Sequence, residues 1–153
     1  MGGSPPTEND SIDSPTLRIG EADPGLDERL SQELTRFNVA ATGADDEREL
    51  TVAVHDMAGE LIAGLSGWTW VTAAGIGMVW VHEDHRRESW GGRLLRTAED
   101  EARARGCTRV YVSSFTFQAP AFYQKHGYAE FARTEGIPHP GHADVHMRKD
   151  LTT

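Results

Sequence analysis

Several features that define other classes of protein are scarce or absent in this sequence of 153 residues. Its single cysteine, Cys107, excludes an internal disulfide framework. No apolar run approaches the length of a membrane span, and the N-terminus lacks the basic and then apolar order of a signal peptide. Internal repeats are also absent. We therefore expect a cytoplasmic protein that has no membrane partner.

Basic residues are few relative to acidic ones. The chain has 15 Lys and Arg against 24 Asp and Glu, which gives a formal net charge of −9 at pH 7. Nucleic acids are bound by broad basic surfaces, so an acidic chain of this kind is not expected to have a nucleic-acid partner. The same charge would attract a cationic amine.

The length predicts one domain with a single buried core. Residues 1–15 are mostly Gly, Ser, Pro, Asn and Asp, and they contain too few apolar side chains to offset the entropy of ordering. We predict that they form a disordered tail and that residues 16–153 form the single domain.

Hydrophobic periodicity predicts strands and helices in alternation. Asp23 and Pro24 supply an N-cap and a first-turn proline for a helix, whose apolar face is formed by Leu26, Leu30, Leu34 and Phe37. Alternating patterns predict strands over residues 16–20, 49–56, 61–70, 76–81, 108–114, 128–133 and 143–149, with small-residue turns at 57–59 and 73–75. Further helices are predicted over residues 92–105 and 118–125. This order indicates an α/β (α+β, three-layer) fold with a central mixed, mostly antiparallel sheet flanked by helices.

The stretch from Val79 to Arg105 carries the strongest functional signal. A β-branched run passes through an Arg-rich turn to Gly91 and Gly92 and then enters a helical pattern. Backbone N–H groups in the first turn of a helix have no intrahelical acceptor and suit a phosphate. Three arginines with guanidinium groups suited to bidentate phosphate contact surround this junction: Arg86, Arg87 and Arg93. The pattern predicts a ligand that carries a pyrophosphate, although an ordinary solvated turn is the alternative for this loop taken alone.

The spacing Arg86-x-x-Ser89-x-Gly91, followed by Leu94 and Leu95, resembles the acyl-CoA signature of the GNAT superfamily of N-acetyltransferases. Ser89 stands where that family usually has its first glycine, a position that permits close backbone approach. We expect Ser89 to act as an N-cap and the loop to bind the cofactor through weaker or altered contacts.

A second stretch, S-F-T-F-Q-A-P-A-F-Y-Q-K-H-G-Y, resembles the downstream GNAT motif. Ala119, Tyr123, Gly127 and Tyr128 hold the expected places, whereas Thr116 replaces the usual asparagine. The wording F-Q-A-P-A-F-Y, together with a later P-G-H, resembles a bacterial subgroup of the family.

The resemblance implies a GNAT fold, acetyl-CoA as cosubstrate, no metal, and direct transfer of the acetyl group to a primary amine. The acidic net charge favours a small cationic metabolite as the acceptor. It implies that the phenol of Tyr123 protonates the departing thiolate, with a core aromatic residue as the alternative. A homodimer is also expected. The implied cofactor-binding residues are Val79, Trp80, Val81, Arg86, Arg87, Glu88, Ser89, Trp90, Gly91, Gly92 and Thr116. The alternative function is a non-catalytic acyl-CoA-binding regulatory module, which the departures from the two motifs favour.

No carboxylate is assigned as the general base, because Gly77 lies where many members of the family have Glu or Asp. The nearest candidates by sequence are His82, Glu83, Asp84 and His142, and a water-mediated proton path is the alternative. The spacing of His139, His142 and His146 spans a loop and a strand, so we expect no metal site there.

The remaining reactive or bulky residues have structural interpretations. Cys107 follows a predicted helix cap, where a small buried residue is ordinary, with a nucleophile that forms an acyl-enzyme as the alternative. Trp68, Trp70 and Trp80 are interpreted as packing of the predicted strands, with an acceptor pocket lined by Trp68 or Trp70 as the alternative. Residues 99–101 are predicted to form a solvated helix face.

Overall fold

The structure is a computed structural model that describes residues 14–152. Contacts within the chain separate two compact units, one ending at Gly43 and one beginning at Ala44. Residues 1–13 of the predicted tail lie outside the described residues, and the single domain stays a prediction. No helix in the described part of the chain is both long and apolar enough to cross a membrane.

The first unit contains helix α1 (Pro24–Thr42), which begins where the sequence predicts. The Leu26 N–H donates to Asp23 Oδ1 at 3.0 Å, and Gly43 ends the helix in the left-handed conformation. The strand predicted over residues 16–20 is wrong, because this segment has no regular structure. Its short alternating pattern has no second strand to pair with among the described residues of this unit.

The second unit is built on a six-stranded sheet in the order β1-β2-β3-β4-β6-β5. Only β3 and β4 are parallel, so the predicted mixed, mostly antiparallel sheet is confirmed. The strands are β1 (Arg48–His55), β2 (Leu61–Trp70), β3 (Ala73–Val81), β4 (Arg109–Phe115), β5 (Ala129–Glu135) and β6 (Ala143–Asp150). A 3-10 turn (Glu83–His85) and helix α2 (Trp90–Ala104) follow β3, and helix α3 (Pro120–Lys125) follows β4.

Helix α2 packs its apolar face against one face of the sheet. Its buried apolar residues are Leu94, Leu95, Ala98 and Ala102, and they pack with alternate residues of β4 and β6. Gly106, at φ 91°, ends the helix as predicted, and the Cys107 N–H donates to the Ala102 carbonyl. The prediction of a solvated face over residues 99–101 is wrong for Glu99, which is only 3% exposed.

The turn predicted at Ala73–Gly75 is instead the start of β3. The chain reverses at Val71 and Thr72, with Val71 at φ 51°. The small residues serve close packing, because a Cβ added at Gly75 would lie 2.3 Å from the Trp68 indole. Glycine is needed at this position because the Trp68 indole occupies the space that a side chain would fill. The sequence near Gly75 gives no sign of this contact, because Trp68 lies on another strand.

Strands β3 and β4 stay paired for only part of their length. Their register runs from Ala73 opposite Arg109 to Ile76 opposite Val112, and residues 77–81 of β3 have no partner in β4. The sheet therefore opens at this point, with α2 following one strand and α3 following the other.

Candidate active site

A cleft occupies the opening between β3 and β4, and it has two sections. The first has a volume of about 600 Å³ and is lined by the loop after β3, the start of α2 and helix α3. The second, of about 670 Å³, lies between the unpaired end of β3 and the end of β4. Five residues line both sections: Val79, Val81, Arg86, Ala119 and Tyr123.

The unpaired end of β3 presents backbone hydrogen-bonding groups to the cleft. The His82 N–H donates to the Ile62 carbonyl at 2.7 Å, so the backbone groups of even-numbered residues here point toward β2. Alternation then directs those of Val79 and Val81 toward the opening. The Val81 carbonyl accepts from Arg86 Nε at 3.1 Å. Trp80 lines the second section. All three predicted strand residues thus lie at the cleft.

The first section is strongly cationic. Arg86 and Arg87 line it as predicted, together with three titratable residues that the sequence interpretation missed: Arg96, Lys125 and His126. Arg96 lies four residues after Gly92, so the two residues share a face of α2. This spacing alone does not show that the shared face borders the cleft. Burial, followed by the charges of Lys125 and Arg96, lowers the pKa of His126. Unpaired N–H groups in the first turn of α2 add to this anion-binding character.

Ser89 lines the cleft but does not cap the helix through its side chain. It lies at φ 62° and ψ 23°, in the left-handed region, and its hydroxyl makes no capping hydrogen bond. Ser89 therefore holds the predicted N-cap position, but its side chain contributes no bond there. A non-glycine residue in this conformation costs about 1 kcal/mol. Ser89 therefore adopts the left-handed backbone conformation that glycine, the usual residue of the family at this position, adopts more easily.

Glu88, Trp90 and Arg93 shape the loop from outside the cleft. The Glu88 carboxylate lies 2.7 Å from His85 Nδ1 and accepts from Trp90 Nε1 at 2.9 Å. These two bonds lower the pKa of Glu88. The Arg93 guanidinium carbon lies 4.0 Å from the Trp90 ring centroid, and none of the three residues lines the cleft. Of the arginines predicted to surround the phosphate site, Arg93 is therefore displaced from it.

Gly91 and Gly92 line the cleft and allow α2 and α3 to approach closely. A Cβ added at Gly91 would lie 2.9 Å from Phe122 Cζ, and one at Gly92 would lie 2.8 Å from His126 Cε1. Because both glycines lack a side chain, residues of α3 can lie next to the start of α2 in the first section of the cleft.

Tyr123 is the aromatic residue that lines both sections of the cleft. It is 7% exposed, and its ring contacts the Phe122 and Tyr128 rings edge-on at centroid distances of 5.2 and 5.8 Å. Burial raises the pKa of its phenol. The group is therefore protonated at neutral pH and suited to donate a proton.

Thr116 does not join the cleft. Its Oγ1 accepts from the Ala143 N–H at 3.1 Å, and its own N–H donates to the Ala143 carbonyl at 2.9 Å. Both bonds join the end of β4 to the start of β6. The structure thus gives Thr116 a role in holding two strand ends together, whereas its assignment as a cofactor ligand receives no support from its position.

The candidate bases also lie outside the cleft lining. His82 Nδ1 accepts from the Asp84 N–H at 3.1 Å, and Glu83 belongs to the 3-10 turn. His142 packs edge-on against Phe117. Among the described residues, no Asp or Glu side chain lines either section. A water-mediated proton path agrees with this lining.

The histidines near the C-terminus have other contacts. The His139 and His142 rings meet at 4.6 Å, while His146 Nε2 lies 3.0 Å from Thr134 Oγ1. Within residues 14–152, no group of three or more His, Cys, Asp or Glu is arranged to hold a metal ion.

Comparison with known proteins identifies the family of this chain. Residues 13–128 match the model of the acetyltransferase (GNAT) family. The chain belongs to the GNAT family. A blasticidin-S acetyltransferase from Streptomyces morookaense is 34% identical over 142 residues, which cover 90% of each chain.

Solved GNAT structures share the fold. A crystal structure of an acetyltransferase from Bacillus cereus has a TM-score of 0.73 at 28% identity, with 88% of this chain and 97% of that chain covered. An aminoglycoside 6'-N-acetyltransferase in complex with coenzyme A has a TM-score of 0.63 at 19% identity, with 86% and 93% covered. The protein is therefore an acetyl-CoA-dependent acetyltransferase, and the alternative of a non-catalytic module is not favoured.

Proposed function

We propose that this GNAT protein transfers the acetyl group of acetyl-CoA directly to the primary amine of a small cationic metabolite. The observation that carries the proposal is the position of Tyr123, which lines both the cationic section and the section along β3. The cationic section suits the phosphates of CoA, and the edge of β3 suits its amide-bearing arm.

The proposed reaction needs no covalent enzyme intermediate. The amine nitrogen attacks the thioester carbonyl carbon, so that a C–N bond forms and the C–S bond breaks. The departing thiolate takes its proton from Tyr123, and the proton lost by the amine passes to water, since the cleft lining offers no carboxylate. Water then returns a proton to the phenolate of Tyr123, which restores the starting state. Backbone N–H groups of β3 are suited to stabilise the carbonyl oxygen as it gains charge.

Cys107 takes no part in this reaction. It is buried two residues before β4, and its Sγ lies 3.4 Å from the Ala73 carbonyl oxygen. Burial raises the pKa of its thiol, which disfavours the nucleophilic thiolate. A bacterial source, a cytoplasmic location and a homodimer stay predictions.

The proposal is tested by incubating the protein with acetyl-CoA and a panel of amines while thiol release is followed. The panel contains polyamines, aminoglycosides, amino acids and blasticidin S, the last because the Streptomyces relative is named for it. We expect acetylated product from at least one cationic amine, identified by mass spectrometry. Calorimetry with CoA runs in parallel. CoA binding without transfer to any panel member would contradict the proposed acceptor class, and absence of binding would contradict the assignment of the cleft.

A further inference from the structure

A second groove lies on the sheet face opposite α2. The core residues Val112 and Met147 pack toward α2, and strand alternation therefore places Tyr111, Ser113 and His146 on the other face. The groove has a volume of about 240 Å³ and is lined there by Trp68 and by the three residues just named. Phe131 of β5 completes its aromatic wall.

The groove wall is aromatic and carries little charge. Tyr111 and Phe131 meet edge-on at a centroid distance of 6.2 Å. Within the described part of the chain, no Lys, Arg, Asp or Glu lines the groove. Arg148 lies beside it, with its guanidinium carbon 5.4 Å from the Phe131 ring centroid, so this ring already accepts a cation on one face. Such walls favour a flat ring by stacking or edge contact.

The groove continues into the cleft at the point where β3 and β4 part. Ser113 lines both the groove and the second section of the cleft. On the facing strand, Gly75 and Ile76 line the groove while the next residue, Gly77, lines the cleft. A molecule seated in the groove would therefore have its end near Ser113 directed toward the section that Tyr123 lines.

Resting on the proposed function, we propose that this groove holds the body of the acceptor, and that the acceptor is a primary amine carried on a flat, unsaturated ring system. The ring lies against Phe131, Tyr111 and Trp68. The amine extends past Ser113 into the cleft, so acceptor and acetyl-CoA approach the opening of the sheet from opposite faces. Phe131 is a specificity-determining residue in this arrangement.

The test uses tryptamine and putrescine as probes, one with an aromatic ring and one without, at saturating acetyl-CoA. Phe131→Leu removes the ring at a position that is 50% exposed, while Phe131→Tyr retains it. Phe117→Leu is the matched control, because Phe117 is 54% exposed and does not line the groove. We expect a lower KM for tryptamine than for putrescine. Phe131→Leu should raise the tryptamine KM about five-fold, whereas Phe131→Tyr and Phe117→Leu leave it within about two-fold.

Two results would overturn the groove assignment while acetyl transfer stands. One is equal use of putrescine and tryptamine; the other is a tryptamine KM that responds equally to Phe131→Leu and Phe117→Leu. The KM for acetyl-CoA and calorimetric CoA binding are measured on every variant. Loss of CoA binding or of all transfer in the unsubstituted protein would instead mark failure of the proposed function itself.

Discussion

Tyr123 is both buried in the core and part of the cleft lining. Its ring is buried among other aromatic residues, while the same residue lines both sections of the cleft. Burial raises the pKa of its phenol, so the proton is retained across the pH range in which an acid is needed. Tyr128, its neighbour, has a fully buried hydroxyl without a hydrogen-bond partner among the described residues and does not line the cleft.

Replacing Tyr123 with Phe should lower kcat about 100-fold with little change in the KM for acetyl-CoA, because only the proton donor is removed. The protonated phenol is the active form, so activity is present below its pKa and lost above it. Because burial raises that pKa, the alkaline limb of kcat/KM should lie at higher pH than the titration of an ordinary tyrosine, and it should be absent in Tyr123→Phe.

Tyr128→Phe serves as the control for this prediction, since it removes the same atom from a buried ring 5.8 Å away. Its kcat should equal that of the unsubstituted protein. An undiminished kcat in Tyr123→Phe would identify Tyr123 as a core aromatic residue alone.

At the scale of elements, the site depends on how closely α2 and α3 approach. Gly91 and Gly92 of α2 lie against Phe122 of α3 and His126 just after it, and this contact brings cations of both helices to one section of the cleft. The start of α2 supplies unpaired N–H groups at the same place. The anion-binding character therefore belongs to a pair of helices rather than to the loop alone.

Gly91→Ala should lower the free energy of unfolding by about 1–3 kcal/mol, because the added Cβ would lie 2.9 Å from the Phe122 ring. Helix propensity alone would have the opposite sign, with alanine favoured by about 1 kcal/mol. Urea denaturation measures the change. Phe122→Leu in the same chain should recover part of the loss, and a stabilised Gly91→Ala variant would contradict the close approach.

Arg96→Ala and Arg93→Ala form a matched pair on one helix. Arg96 lines the cationic section, whereas Arg93 stacks on Trp90 outside it. We expect Arg96→Ala to weaken CoA binding about ten-fold and to reduce its dependence on salt, because a charge-assisted contact is lost. Arg93→Ala should change binding less than about two-fold. Calorimetry at two salt concentrations separates them, and equal losses would remove Arg96 from the phosphate site.

At the scale of the molecule, a partly buried ion pair joins α2 to β6. Lys149 Nζ of β6 lies 2.6 and 3.0 Å from the two carboxylate oxygens of Glu99, whose side chain is 3% exposed. The Lys149 amine also lies 5.6 Å from the Tyr128 ring centroid. The pair therefore lies next to Tyr128, whose ring contacts that of Tyr123.

Lys149→Met should destabilise the protein by about 3–5 kcal/mol, because it leaves the Glu99 carboxylate buried without its partner. The double variant Glu99→Leu, Lys149→Met should recover most of this loss, since an apolar pair replaces both charges. Thermal and urea unfolding of the single and double variants measure the cycle. If the double variant is no more stable than Lys149→Met, the loss does not come from the stranded charge.

The sequence by itself determined the features that depend on near neighbours. Asp23 and Pro24 start a helix, Gly106 ends another, and alternating residues define the antiparallel hairpin of β1 and β2, because capping and strand periodicity act over a few residues. The spacing of Arg86 and Tyr123 likewise predicted two residues that the fold brings to one cleft.

Only the tertiary structure decided which side chains meet. Arg96, Lys125 and His126 converge because α2 and α3 touch through small residues, and Glu99 is buried because its helix face meets β6. Helical period assigns a residue to a face, but the neighbour of that face is set by contacts between distant segments. Those contacts depend on shape and packing across the whole core, so no local pattern of residues carries them.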